Sequence, residues 1–132
     1  MASSAALLGY PYITGYAASK HALLGYARSA ALEMNGKGVG VGVVCPHYVD
    51  PPMTDASVAR IVDKTGRDHE QARAALAELN PGGKLVQADE VASVILRLLQ
   101  SELSGTVVEL TGSEQREIES GLLIVPNTPK GD

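Results

Sequence analysis

The stretch Gly38-Val-Gly-Val-Gly-Val-Val-Cys-Pro46 constrains the fold more than any other part of this 132-residue chain. Val39, Val41, Val43 and Val44 favour extended backbone, and a run this apolar reads as a buried strand. Interleaved glycines weaken a strand, so they predict that another part of the molecule approaches closely here. Ahead of it, Thr14 can cap a helix running to about Met34, stopped by Asn35-Gly36-Lys37-Gly38. That helix is rich in small residues (Ala17, Ala18, Ala22, Gly25, Ala27, Ala30, Ala31), which permits close packing against a sheet or another helix.

Downstream, Pro46 to Pro52 reads as a rigid loop. Thr54 or Asp55 opens a short helix to about Asp63, ending at Thr65-Gly66. Asp68, with Gln71 three residues on, opens a second helix to about Leu79, closed by Asn80-Pro81-Gly82-Gly83. Asp89 and Glu90 mark the first turn of a third, whose apolar positions Val91, Val94, Ile95, Leu98 and Leu99 follow the helical period. Gly105 to Leu110 reads as a last strand. Residues 1–13 read as a strand end and loop, with only Met1 and Ala2 ahead of Ser3, so that serine is expected to sit on a fraying terminus. Helices between valine-rich strands predict an α/β layered fold with parallel strands. The tail from Ser113 carries no readable pattern, although Leu122–Val125 is apolar enough to dock and 126–132 reads as loose.

A net charge of −4 argues against electrostatic binding to nucleic acid or to an anionic membrane. No apolar run reaches the length of a membrane span, and no basic, cleavable leader opens the chain, so a cytoplasmic location is expected. The single cysteine, Cys45, excludes an internal disulfide and reads as a core residue. His21 and His69 read as helix-surface residues. His47 is conceivable as a catalytic base, but with no acidic partner in sequence reach it reads as incidental, and no spacing points to a metal site.

The chemistry concentrates at Tyr16-Ala-Ala-Ser-Lys20. A four-residue step on a helix is about 6 Å of rise with little rotation, so the phenol and the ammonium share a face. An ammonium beside a phenol favours the phenolate and eases loss of its proton, which suits the phenol to general acid–base work. Ser3, thirteen residues earlier, can bring a hydroxyl to hold a carbonyl or alcohol oxygen. Read alone, the pair is better explained as a half-buried tyrosine covered by a snorkelling lysine; the surrounding residues change that reading.

The surrounding text resembles the short-chain dehydrogenase/reductase family. Ala2-Ser-Ser-Ala-Ala-Leu-Leu-Gly-Tyr-Pro11 is similar to its serine loop, and Tyr16-Ala-Ala-Ser-Lys20-His-Ala22 to its Tyr-x-x-x-Lys helix. Gly38 to Pro46 is similar to the strand that follows, and Pro46-His-Tyr-Val-Asp-Pro-Pro-Met53 to the loop after it. The resemblance covers residues 2 to 112, leaving 113–132 as an atypical tail. Asp50–Ala59 and Leu79–Leu85 look most like bacterial oxoacyl-carrier-protein and hydroxybutyrate reductase types.

The resemblance implies a partial Rossmann-like, doubly wound parallel sheet that lacks the N-terminal cofactor-binding half. It implies NAD(P)-dependent carbonyl reduction or alcohol oxidation, with Ser3, Tyr16 and Lys20 as catalytic residues. It also implies cofactor contacts from Tyr16, Lys20, Pro46 and Val49. The expected partners are a small carbonyl or alcohol substrate, NAD or NADP, and a second copy of the chain or another chain. Three departures stand out. No glycine-rich turn opening a helix is present to receive a pyrophosphate. His47 stands where the family has glycine, and Pro51 where it has a threonine that contacts the nicotinamide. Two other functions remain open at this point: a non-catalytic remnant or oligomerisation module, and a cofactor-independent ester or lactone hydrolase using Ser3 with a lysine. Ser19, next to Lys20, diverges from it on the helix and is the weaker nucleophile for that reaction.

Overall fold

A computed structural model describes residues 1–50, 54–101 and 104–119. The docking expected of residues 122–125, the looseness expected of 126–132 and the loop positions Pro51, Pro52 and Met53 all fall outside the described residues. In chain order the elements are α1 (Thr14–Met34), β1 (Val43–Pro46), β2 (Val49–Asp50), α2 (Asp55–Thr65), α3 (His69–Glu78), β3 (Val86–Gln87), α4 (Ala88–Gln100), β4 (Val107–Leu110) and β5 (Gln115–Glu119).

β1 and β4 pair in parallel, with Cys45 opposite Glu109, and β5 returns antiparallel on the far side of β4. A second parallel pair joins β2 to β3. Side chains alternate across a strand, and the two faces of β1 and β4 meet different helices. Val43, Cys45 and Val107 pack with Ala2, Ala6 and Leu24. Val44, Val108 and Leu110 pack with Val86, Val91 and Val94. A sheet covered by helices on both faces is the α/β layering that the sequence predicts. A third cluster, Val58, Ala72 and Leu76 with half-buried Tyr48, closes the α2–α3 pair.

Local signals placed the helices well. Asp68 and Gln71 form the reciprocal capping box at the start of α3, and Gly66 ends α2 in the left-handed conformation. The strand after α1 is shorter than the valine run predicts. It begins at Val43, and Val39 is exposed. Its partner sets the limit: Val43 N–H donates to the Thr106 carbonyl, and just before that Gly105 turns at φ +86°. A close approach is present at Gly42, where a Cβ would lie 3.2 Å from Leu98 Cδ1.

The start of the chain is also better held than a free terminus. Ala2 N–H donates to the Val44 carbonyl at 2.8 Å on the open edge of β1, and Ala2 is buried in the core. Ser3 then caps a single 3-10 turn, Ser4–Ala6, by accepting from Ala5 N–H at 3.2 Å. Backbone pairing on one side and a cap on the other fix the Ser3 backbone.

Candidate active site

The carboxyl ends of parallel strands are where open α/β sheets leave a crevice, and a cavity of about 270 Å³ lies beyond the end of β1. Its walls come from five places. The N-terminal turn gives Ser3 and Ser4, the loop before α1 gives Tyr10, α1 gives Tyr16, and the segment after β1 gives Pro46 to Val49, faced by Thr54.

Of the residues singled out in the sequence, Ser3, Tyr16, Pro46 and Val49 line this one cavity. Lys20 is not among the lining residues. Its Nζ stands 5.5 Å from the centre of the Tyr16 ring, on the same face of α1, within the range of a cation–π contact. Tyr16 is 43% exposed, so water reaches it from outside the cavity. Ser19 turns back on its own helix and donates to the Tyr16 carbonyl at 2.7 Å. With Ser19 spent and Lys20 outside the cavity wall, the serine–lysine pair needed for hydrolysis lacks support.

Sequence reading missed the rest of the polar lining. His47 is buried, and its Nε2 lies 2.9 Å from Glu109 Oε1, an acidic partner supplied by β4. The Tyr10 hydroxyl sits 3.4 Å from His47 Nδ1 and 3.0 Å from Ser4 Oγ. Thr54 holds the N-cap position of α2 but makes no side-chain cap bond. Its hydroxyl is buried and has no hydrogen-bond partner among the described residues. A buried hydroxyl without a partner is costly, and Thr54 lines the cavity. The identity of Tyr10, before Pro11 in the serine loop, was the only available hint; nothing local ties His47 to Glu109.

The loop that carries these residues is clamped. Asn80, buried, accepts from Tyr48 N–H at 3.0 Å and donates to the carbonyls of Tyr48 (3.0 Å) and Lys84 (2.7 Å). Arg73 on α3 pairs with Asp50 at the end of β2. Burial, reinforced by the nearby Tyr10 and Tyr16 phenols, raises the pKa of Tyr48, so its hydroxyl stays protonated at neutral pH.

Cys45 lies behind this wall with its thiol pushed up to about 11, chiefly by burial and against a backbone hydrogen bond from Ser3 that pulls it down. A thiol reagent at pH 8 should therefore label the native chain far more slowly than the denatured chain; equal rates would contradict this packing. The same shift predicts a stability trend. Between the ordinary thiol value of 9.0 and about 11, the unfolded chain loses a proton that the folded chain keeps. Stability should fall as pH rises through that window, by up to about 1.4 kcal/mol per pH unit.

The comparisons with known proteins agree with this architecture. Residues 1–112 match the family model described as Enoyl-(Acyl carrier protein) reductase. Cyclohexanol dehydrogenase of Acinetobacter sp. (strain SE19) is 35% identical over 103 residues, covering 78% of this chain and 36% of the relative. The 3-oxoacyl-(acyl-carrier-protein) reductase of Thermotoga maritima is 31% identical over 124 residues, 94% of this chain and 44% of the relative. Among solved structures, actinorhodin polyketide ketoreductase with NADPH superposes with a TM-score of 0.75 at 27% identity, covering 84% of this chain and 44% of that one. Levodione reductase gives 0.73 at 28% identity, with 84% and 43% coverage. The architecture is therefore part of a Rossmann-type α/β fold, and the chain belongs to the short-chain dehydrogenase/reductase family. It spans less than half the length of these relatives.

Among the described residues no helix is long and apolar enough to cross a membrane, and no three metal-ligating side chains gather.

Proposed function

We propose that this chain carries the substrate side of an oxidoreductase that interconverts a small ketone and its alcohol, with NAD or NADP as hydride carrier. The observation that carries the reading is the gathering of Ser3 and Tyr16 in one cavity, with Lys20 over the Tyr16 ring. Tyr16 gives its phenolic proton to the carbonyl oxygen in reduction and takes the alcohol proton in oxidation. The Lys20 ammonium stabilises the phenolate left behind. Ser3 holds the same oxygen by a hydrogen bond.

The nicotinamide end of a cofactor fits these walls. Pro46 and Val49 offer an apolar surface, and the unpartnered Thr54 hydroxyl suits an amide group. It stands three residues beyond Pro51, which has neither hydroxyl nor N–H to offer. When bound, the nicotinamide supplies or accepts the hydride. The pyrophosphate end has no comparable cradle among the described residues, so its holder comes from outside them.

The test is a fluorescence titration of NADH and NADPH with the purified chain. Millimolar cofactor should change emission, and Lys20→Ala should weaken the effect by about tenfold, the loss of one charge-assisted contact. In a ketone-reduction assay Tyr16→Phe should lower the rate by about 10²- to 10⁴-fold. No emission change at millimolar cofactor would leave the family relationship as descent alone.

A second reading, an association module, is favoured by the surface of α1. Of its 21 residues only Ala17, Leu24 and Ala31 are buried, a single narrow stripe. Leu23, Tyr26 and Leu32 are exposed on the same helix, an apolar surface suited to another chain. Light scattering should report a dimer or larger assembly, and Tyr26→Lys should dissociate it. A cooperative monomer at high concentration would remove this reading.

A further inference from the structure

We infer that the chain of groups Glu109–His47–Tyr10–Ser4 lets the cavity distinguish a ketone from its alcohol according to the protonation of His47. The inference rests on the reading that this cavity takes a small oxygen-bearing molecule. Its warrant is the geometry of a buried hydrogen-bond chain ending at a hydroxyl in the cavity wall.

The His47 side chain is 2% exposed and the Glu109 side chain 12%, with 2.9 Å between Nε2 and Oε1. A carboxylate accepts hydrogen bonds and cannot donate them. His47 Nε2 therefore keeps its hydrogen in both charge states, and only Nδ1 changes. In the neutral ring Nδ1 is bare. The Tyr10 phenol, 3.4 Å away, then turns its one hydrogen toward Nδ1, and its oxygen, 3.0 Å from Ser4 Oγ, takes the Ser4 hydrogen, the reverse of the Tyr10-to-Ser4 donation in the structure. The lone pairs of Ser4 are left facing the cavity. In the imidazolium Nδ1–H donates to the Tyr10 oxygen instead. The phenol then turns its hydrogen to Ser4, and the Ser4 hydrogen is freed toward the cavity.

One proton gained at His47 thus reverses the two hydrogen bonds between His47 and Ser4 and leaves the bond to Glu109 as it is. It converts the Ser4 end from an acceptor into a donor, with no bond made or broken in Tyr10 or Ser4. A ketone oxygen only accepts, so it prefers the protonated chain. An alcohol can donate, so it fits the neutral chain at least as well. Coupling of this kind is reciprocal: a ligand that prefers one charge state of His47 must shift the titration of His47. One net hydrogen bond corresponds to a factor of about 2 to 10 in affinity, or a midpoint shift of about 0.3 to 1 pH unit.

Other ionisable groups flank this chain on several sides. Glu109 on β4 has Arg116 opposite it on β5. The Cys45 thiol is opposite Glu109 on β1 and holds its proton until about 11. The Tyr16 and Tyr48 phenols and the Met1 end of the chain share the cavity wall. Because several groups surround it, the readout must be the His47 ring itself.

The experiment follows the His47 Cε1–H signal by NMR from pH 5 to 9, assigned by its loss in His47→Gln. It is run on the whole chain alone, with saturating cyclohexanone, and with saturating cyclohexanol. Cyclohexanone should raise the midpoint by about 0.3 to 1 unit, and cyclohexanol should leave it unchanged or lower it. Tyr10→Phe interrupts the chain and Ser4→Ala removes its cavity end. In either variant the two ligands should give the same midpoint, while the thermal melt shows the fold intact. Equal shifts by both ligands in the unmodified chain, or a difference surviving in both variants, would overturn the relay. If neither ligand perturbed the Tyr16 ring signals at any concentration, the oxygen-bearing ligand itself would be excluded, and the proposed function would fall first.

Discussion

Gly112→Ala is expected to cost about 4 kcal/mol, a large part of the 5–15 kcal/mol typical of a domain. Two effects add. Gly112 sits at φ +90°, outside the conformations an L-residue adopts without strain, and such strain costs about 1–3 kcal/mol. The new Cβ would also lie 2.0 Å from the Lys84 carbonyl oxygen, which is backbone and cannot swing aside. Forcing the two segments apart adds about 1–3 kcal/mol, as overpacking does. The segment displaced is the 80–84 turn, which grips the loop behind the cavity. The melting temperature should drop by well over 10 °C, and Tyr10 and Tyr48 signals should broaden even where the protein remains folded. An unchanged melt would mean that Lys84 is not where the structure places it.

Asn80→Ala attacks the same clamp from the other side and should cost about 3 kcal/mol. It removes the acceptor of the buried Tyr48 N–H and the donor to the Lys84 carbonyl. The Tyr48 carbonyl keeps a partner, because Val86 N–H donates to it at 2.9 Å. Two backbone groups are thus left wanting, at about 1–3 kcal/mol each, with some relief from water. Asn80→Asp should be nearly as harmful. It keeps the acceptor for Tyr48 N–H but sets a carboxylate oxygen against two carbonyls. The two sites share the Lys84 carbonyl, so the Gly112→Ala/Asn80→Ala double variant should lose less than the sum of the singles. Strict additivity in denaturant melts would show that the contacts act independently. For function the clamp matters because Pro46 to Val49 forms one wall of the cavity. A side chain there, held within tenths of an ångström, depends on a backbone that cannot drift.

Both variants act at residues whose roles were hidden in the sequence. Asn80 reads there as part of a helix stop, and it does follow α3, but its side chain is spent on a loop 32 positions away. Thr54 reads as a helix cap and occupies that position, yet its hydroxyl is buried and has no partner among the described residues. His47 reads as incidental because its acidic partner lies 62 positions along the chain. β5 has no apolar alternation to announce it: Gln115, Arg116, Glu117 and Ile118 are all exposed. Its place comes from the Thr111–Glu114 turn, where the Thr111 hydroxyl accepts from Glu114 N–H at 3.0 Å.

The amino-acid order alone determined the helices and the parallel α/β layering, and it singled out Ser3, Tyr16 and Lys20 as candidates. Those features are written in periods, caps and spacings that act within a few residues, where chain connectivity already holds the partners together. Tertiary structure alone decided that His47 meets Glu109, that Asn80 grips Tyr48 and that Ser3 is anchored through Ala2 to β1. Each of these joins strands or loops distant in sequence, and only the register of the sheet brings such groups within hydrogen-bonding distance.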